Sequence, residues 1–362
     1  MTTNNRQVGI GIIGCGQVAI QGHLPALRHV SGATVIAAAD LDANRLQRAV
    51  EEFNIPRGYT NDSLLLKDPD VAVVAVCVPA RFHAAVASAA LDAGKHVLVE
   101  KPLALSLSEC DQLVRQAEQS TGVSTVGFNM RWHRLVRQAR AMIQRGELGP
   151  IHMIRTVMAR QGHQADAGPQ WRRCRELGGG ALMEAGVHEY DLWRFLLERE
   201  VEEVFGLTRS EYSDDDMGSV VARMADGTLA ATTIVQGTGS HFQVDVFGER
   251  GRLQLSCLQF DGLRFLPASR RPGDPQVRFA GLMHTLKELP RALFSRSGKS
   301  DYAASFVSEW QHLVDCVRLG KQPECTLVDG QRAVQVALAA VQSASVGQPV
   351  RVADAPNGLP TD

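Results

Sequence analysis

The chain has almost no charge imbalance: 38 lysines and arginines face 39 aspartates and glutamates, a net charge of −1 over 362 residues. That excludes the basic footprint of a nucleic-acid binder and any strong electrostatic draw to an anionic membrane. Long hydrophobic runs are missing as well. The longest, residues 71–80, is far too short to cross a bilayer. Residues 1–7 are polar and hold no apolar signal core. The seven cysteines, Cys15, Cys77, Cys110, Cys174, Cys257, Cys316 and Cys325, form no C-x-x-C pair. Their scatter and odd number argue against a disulfide framework and against a zinc ribbon. A cytoplasmic protein with reduced thiols is expected. Internal repeats and low-complexity linkers are lacking too.

What is present is ordinary in bulk and informative in its order. Apolar residues make up 44% and charged residues 21%, as in a globular protein. At 362 residues the chain exceeds one usual core, so two domains are expected. The near-zero net charge also suits an oligomer that hides surface. Residues 8–13, 34–39, 71–78, 96–99 and 123–128 are continuous apolar runs, which belong to a parallel sheet buried on both faces. Helical stretches at 17–29, 43–53, 82–93 and 107–119 separate them, and that alternation predicts a doubly wound α/β sheet.

The second half changes texture. Short runs at 217–224, 229–235, 242–247 and 253–255, with turns at Asp226-Gly227 and 248–251, predict an antiparallel sheet. Phe306, Trp310, Leu313, Val314 and Val317 then fall at helical spacing. The boundary is placed at 128/129, giving a dinucleotide-binding domain over 1–128 and a substrate and oligomerisation domain over 129–362, whose last helices are free to pack back on the first. The irregular stretch 267–300 reads as a surface excursion, in which Leu282, Leu286, Leu289 and Leu293 could form an apolar stripe.

Gly14, Gly16 and Ala19 form a G-x-G-x-x-A turn between the first strand and its helix. Gly14 permits the tight turn, Gly16 lets a pyrophosphate approach the backbone, and Ala19 lets the helix pack closely. Amides at Gln17 and Val18 would then point at the phosphates, aided by the helix dipole. Asp40 ends the second strand, where a carboxylate accepts from a ribose 2′-hydroxyl and repels a 2′-phosphate. NAD is therefore favoured over NADP, with Arg45 as the opposing feature. Glu100-Lys101-Pro102 closes the strand at 96–99. A lysine there, in a chain that opens on a dinucleotide turn, points to chemistry at a nicotinamide ring.

Gly14-Cys15-Gly16, Asp40 and Ala93-Gly94-Lys95-His96-Val97-Leu98-Val99-Glu100-Lys101-Pro102 together resemble the Gfo/Idh/MocA oxidoreductases, NAD(P)-dependent enzymes of sugars, cyclitols and related polyols. The likeness continues at Gly178-Gly179-Gly180-Ala181-Leu182, Glu184-Ala185-Gly186-Val187-His188 and Asp191, and again at Thr326-Leu327-Val328-Asp329-Gly330 and Arg332-Ala333. It implies a Rossmann domain plus an α/β domain whose large, mostly antiparallel sheet mediates a homodimer or homotetramer. It also implies that Lys101 lies near the nicotinamide and that His188 is the acid/base. Glu184 stands where many members have aspartate. Pro79 and His83 match the cofactor-lining strand end, whereas Ala80 replaces a usual asparagine.

Those residue types suit alcohol oxidation. His188 titrates near neutrality when unperturbed, and an ammonium at Lys101 would stabilise a developing alkoxide. Glu184, His188 and Asp191 are spaced i, i+4 and i+7, so on a helix either carboxylate could orient the imidazole. Glu184 and His188, with His163 and Cys174, follow no metal template, and no metal is expected. Arg131 and Trp171 are candidate polyol contacts, or else an interdomain ion pair and a core residue. Arg134, Arg137, Arg140 and Arg145 read as a solvated helix face, and Asp214-Asp215-Asp216 as a turn. Two other readings stay open: a glycosidase that uses NAD in transient oxidation, and a non-catalytic NAD(P)-binding regulator.

Overall fold

A computed structural model describes residues 7–160, 170–258, 262–268, 275, 279, 283, 286 and 300–359. The fully buried run β1 (Val8–Ile13) leads through the glycine turn into a π turn over Ala19–His23 and then α1 (Leu24–Leu27). The sequence predicts a plain α-helix here. Pro25, which has no N–H to donate, follows the wide turn, which closes instead through Leu24 N–H to Ala19 O. Next come β2 (Ala33–Ala39), α2 (Ala43–Phe53), β3 (Arg57–Tyr59), α3 (Asp62–Leu66), β4 (Val73–Val76), α4 (His83–Asp92), β5 (His96–Val99), α5 (Leu107–Gln119) and β6 (Ser124–Val126). Capping fixes the helix starts. The Asp42 side chain accepts from Asn44 and Arg45 N–H, and Ser106 does the same for Glu109 N–H at the head of α5.

These six strands form one parallel sheet in the order β3-β2-β1-β4-β5-β6. The order reverses at β1, which pairs with β2 on one side and β4 on the other. The carboxyl ends of β1 and β4 therefore flank the switch point, where open α/β sheets bind ligands. β4 and β6 are shorter than the apolar runs that announced them, and β3 and α3 have no counterpart in the periodicity because each is too short to show any.

The rest of the chain supplies α6 (Arg134–Gln144), β7 (Ile151–Arg160), a second π turn (Ala181–Ala185), α7 (Gly186–Leu197), β8 (Val201–Arg209), β9 (Met217–Met224), β10 (Leu229–Gln236), β11 (His241–Gly248), β12 (Gly251–Ser256), β13 (Leu263–Pro267), α8 (Asp301–Leu319), α9 (Leu327–Val346) and β14 (Val350–Arg351). Its eight-stranded sheet runs β13-β12-β11-β7-β10-β9-β8-β14. Every pair is antiparallel except β7 with β10, because β7 comes first in the chain yet sits between β11 and β10. The sheet is thus mostly antiparallel.

The chain divides into two compact units, Met1–Asn129 with Phe306–Val334, and Met130–Ser305 with Gln335–Asp362. In the first, Ile10, Ile12, Val73, Ala75 and Leu98 share a core with Phe306, Trp310, Leu313 and Val314 of α8. Gly22 allows this close approach, since a Cβ there would lie 2.9 Å from the Phe306 ring. In the second unit α7 packs on β10, covering the face that buries Ala230, Thr232 and Ile234. Among the described residues no helix is long and apolar enough to cross a membrane. Leu286 is about half exposed, while Leu282, Leu289, Leu293 and His163 lie outside the described residues.

Candidate active site

The glycine turn is shaped by two different constraints. Gly14 holds φ +95, and a Cβ there would lie 2.6 Å from the Cys77 backbone, so no other residue fits. At Gly16 a Cβ would meet nothing closer than the Cys77 oxygen at 4.0 Å. Its Cβ side is open, which is the room a pyrophosphate needs. Ala19 is fully buried beneath it, and Gln17 bonds along the helix to Gln21. Asp40 Oδ2 accepts from Cys15 N–H at 2.8 Å and Oδ1 from Asp42 N–H at 2.8 Å. Each oxygen keeps a lone pair for a ribose hydroxyl. Arg45 lies 3.4 Å from Oδ1 with its side chain half exposed. Asp40→Ser is expected to weaken NAD roughly 10–100-fold, as for losing hydrogen bonds to a charged group, and to improve NADP relative to it. Fluorescence titration with both dinucleotides checks this, and unchanged discrimination would remove Asp40 from the ribose site.

The Glu100-Lys101-Pro102 segment stands on a buried network. Glu100 Oε1 lies 2.8 Å from His23 Nε2, and Trp310 Nε1 donates to His23 Nδ1 at 3.0 Å. Indole N–H only donates, so Nδ1 must accept and the His23 proton sits on Nε2, facing Glu100. Lys101 N–H donates to Glu100 Oε2 at 3.2 Å. Burial pushes the Glu100 carboxyl up, but the His23 bond and the charges of Lys101 and His83 outweigh it and leave its pKa below the usual carboxylate value. The Lys101–Pro102 peptide is cis. Across from it, Pro79 precedes a short 3₁₀ turn (Ala80–Phe82), and His83 opens α4 with its ring nitrogens 2.6 Å from Pro102 O and 2.8 Å from Val78 O.

In the second unit the glycine run 178–180 turns the chain with φ +89 at Gly178 and +86 at Gly180. Asp215, itself at φ +47, accepts a forked pair from Arg175 at 2.7 and 3.0 Å, and its carbonyl takes Ala181 N–H. That clamp starts the π turn carrying Glu184. Gly186 N–H closes the turn on Ala181 O, so the even helical face expected over 184–191 begins only at Gly186. Glu184 Oε2 pairs with Arg160 Nη1 at 2.7 Å. His188 is buried in the first turn of α7. Behind it, Glu189 is fully buried, and burial pushes its carboxyl up to about 7 against the opposing charge of Arg160. Arg131 and Asp191 bind each other through two parallel bonds, Nε to Oδ2 at 2.8 Å and Nη2 to Oδ1, both residues being buried. Trp171 is half-buried, with the Arg172 guanidinium 5.3 Å from its ring centroid.

Each unit thus gathers its own cluster. Lys101, Glu100, Pro79 and His83 come together with Gly14, Gly16 and Asp40 at the ends of neighbouring strands of one sheet. Glu184, His188 and Asp191 occupy one π–α segment. Sequence reasoning passed over His23, Trp310, Arg160, Glu189 and the Asp215 clamp. Trp310 left a signal as one apolar member of a helical stripe, and Asp215 as part of an acidic turn. Among the described residues no three His, Cys, Asp or Glu side chains group closely enough to hold a metal.

A parallel sheet with this turn, this acid and this open approach is built to hold a dinucleotide, and the chain is an NAD-binding oxidoreductase. The oxidoreductase family with an NAD-binding Rossmann fold matches residues 8–128, and the GFO/IDH/MocA C-terminal domain matches residues 136–254. The chain belongs to the Gfo/Idh/MocA family, enzymes acting on CH–OH groups. It is 26% identical over 345 residues to a myo-inositol 2-dehydrogenase of Thermotoga maritima, covering 92% of this chain and 95% of that one. Its fold matches the scyllo-inositol dehydrogenase of Lactobacillus casei solved with NAD(H) and scyllo-inositol, with TM-score 0.79, 20% identity and coverage of 96% and 100%. A levoglucosan dehydrogenase in complex with NADH matches with TM-score 0.80, 21% identity and coverage of 96% and 99%.

Proposed function

We propose that the protein interconverts a secondary alcohol and a ketone on a cyclitol or sugar. NAD, when bound, would supply the hydride acceptor, and the hydroxyl proton would leave as the ketone forms. His188 takes that proton. Lys101 holds the oxygen as its negative charge develops, the electrostatic role in which a preorganised donor contributes most. Glu184, fixed by Arg160, orients the π–α segment that carries His188. Arg131, Asp191 and Trp171 form the polyol side, the first two as one rigid donor–acceptor unit because each already binds the other. The observation that carries this reading is the Glu100-Lys101-Pro102 segment, with a buried carboxylate beside the lysine at the head of a dinucleotide sheet. Relatives named as inositol dehydrogenases support the substrate class over nearly the full length.

The test is reduction of NAD at 340 nm with a panel of inositols, hexoses, anhydrosugars, amino sugars and nucleotide-sugars. NADH formation with one cyclitol or sugar class is expected. Tight NAD binding with no reduction by any polyol would overturn the dehydrogenase reading.

We also propose that the protein is cytoplasmic and that a second copy covers the outer face of its large sheet. Leu207, Val221 and Leu229 are each about half exposed on neighbouring strands β8, β9 and β10, and Val221 is in register with Phe205 and Ala231. Contiguous apolar side chains of this kind mark an association surface. Val221→Glu should lower the mass seen by analytical ultracentrifugation to that of a smaller assembly; an unchanged mass would place the contact elsewhere.

A further inference from the structure

The contacts of His83 are unusual for a buried imidazole. The residue is 2% exposed, and both ring nitrogens face backbone carbonyl oxygens, Pro102 O at 2.6 Å and Val78 O at 2.8 Å. A carbonyl oxygen has no proton to give. A neutral ring has one N–H, so it could serve one of these carbonyls and would turn a lone pair on the other at contact distance. Both bonds form only when both nitrogens carry protons. Burial works against this and lowers the pKa of His83, while the two carbonyls and the Glu100 charge raise it and Lys101 lowers it further. The two carbonyl contacts leave a neutral ring with one lone pair turned on an oxygen, and the opposing cost of burial is met on the spot by an anion. Glu100 is that anion. Its own facing groups are His23, whose proton lies on Nε2, Lys101, Cys77 and Glu309. Burial, with the Glu100 charge, pushes both the Cys77 thiol and the Glu309 carboxyl well above their ordinary values, away from the charged form.

We propose that His83 is a positioning residue for Lys101: a doubly protonated ring that ties the β4 end at Val78 to the carbonyl of Pro102. His23, held by Trp310, grips Glu100 on the other side. Lys101 therefore lies between two neighbours, each fixed by a buried histidine, so the backbone from which its side chain springs is held on both sides. This role rests on the proposed part of Lys101 in the reaction.

The decisive measurement is long-range proton–nitrogen NMR of the full chain labelled in histidine, at pH 8, with the ring assigned through its contacts to Pro102. Both His83 nitrogens are expected to be protonated there, and a neutral His83 ring would overturn the assignment without the need for any variant. Kinetics test the role. His83→Gln carries both of its N–H donors on one nitrogen and cannot span the two carbonyls as the ring does, so kcat should fall roughly 10–100-fold, as for a misplaced catalytic group, with polyol KM and NAD affinity nearly unchanged. His23→Gln keeps one donor and one acceptor and should lose far less. In a Lys101→Met background His83→Gln should cost nothing further. An equal loss in both backgrounds would show that His83 acts independently of Lys101 and end the proposal. Full activity of Lys101→Met would instead defeat the reading of Lys101 itself, and a fully active His83→Gln beside an inactive Lys101→Met would defeat this inference alone.

Discussion

Lys101→Met is expected to bind NAD about as well as the wild type and to turn over roughly 10²–10³-fold more slowly, the loss seen when one preorganised oxyanion donor is removed. The methionine keeps the length of the stem and removes only the charge. The backbone bond from residue 101 to Glu100 survives, so the segment should stay in place. What disappears is the cation proposed to favour the alkoxide over the alcohol. His188→Asn is the companion variant, with an expected loss of roughly 10²–10⁴-fold for a general base. Dinucleotide binding by fluorescence and turnover by absorbance separate the two effects. A Lys101→Met enzyme of normal turnover would leave the lysine without a part in the chemistry.

Asp191→Ala should be the most damaging single change to stability, at about 3–5 kcal/mol, because it strands a buried guanidinium. Arg131 is 4% exposed and gives Asp191 two parallel bonds, and Arg194 stands 3.9 Å from the same carboxylate. Arg131→Met, which removes the charge and keeps apolar contact with the Phe195 ring, should cost less, since it leaves an anion still near Arg194. Urea unfolding of both variants checks the order. Equal midpoints for wild type and Asp191→Ala would mean that the pair contributes nothing.

The parallel sheet was legible because its strands are buried on both faces, so Val8–Ile13 and His96–Val99 read as unbroken apolar runs. Gly14, Gly16 and Asp40 were legible because each answers a local backbone or charge requirement. The rest depends on distance, which a sequence does not carry. His23 and Trp310 meet across 287 positions, and Arg131 and Asp191 across 60. No periodicity signals such meetings. The two π turns were also hidden, because one extra residue per turn changes the facing of side chains without changing their type. The i, i+4 spacing places Glu184 on the face of His188, whereas the wide turn before Gly186 gives that segment a different pitch. The place of β7 was equally silent: its parallel pairing with β10 follows from where later strands insert, not from its own residues.

The core shared by the first sheet and α8 has a consequence for how the protein is made. Residues 1–129 leave the ribosome without Phe306, Trp310, Leu313 and Val314, which complete that core. At roughly 5–20 residues per second the missing helix arrives on the order of 9 to 35 seconds later. Through that interval the nascent sheet presents an unfilled apolar face, and His23 has no indole to fix its proton. A gene cut after residue 129 would encode this waiting state permanently, so the dinucleotide half is not a portable module despite coming first in the sequence.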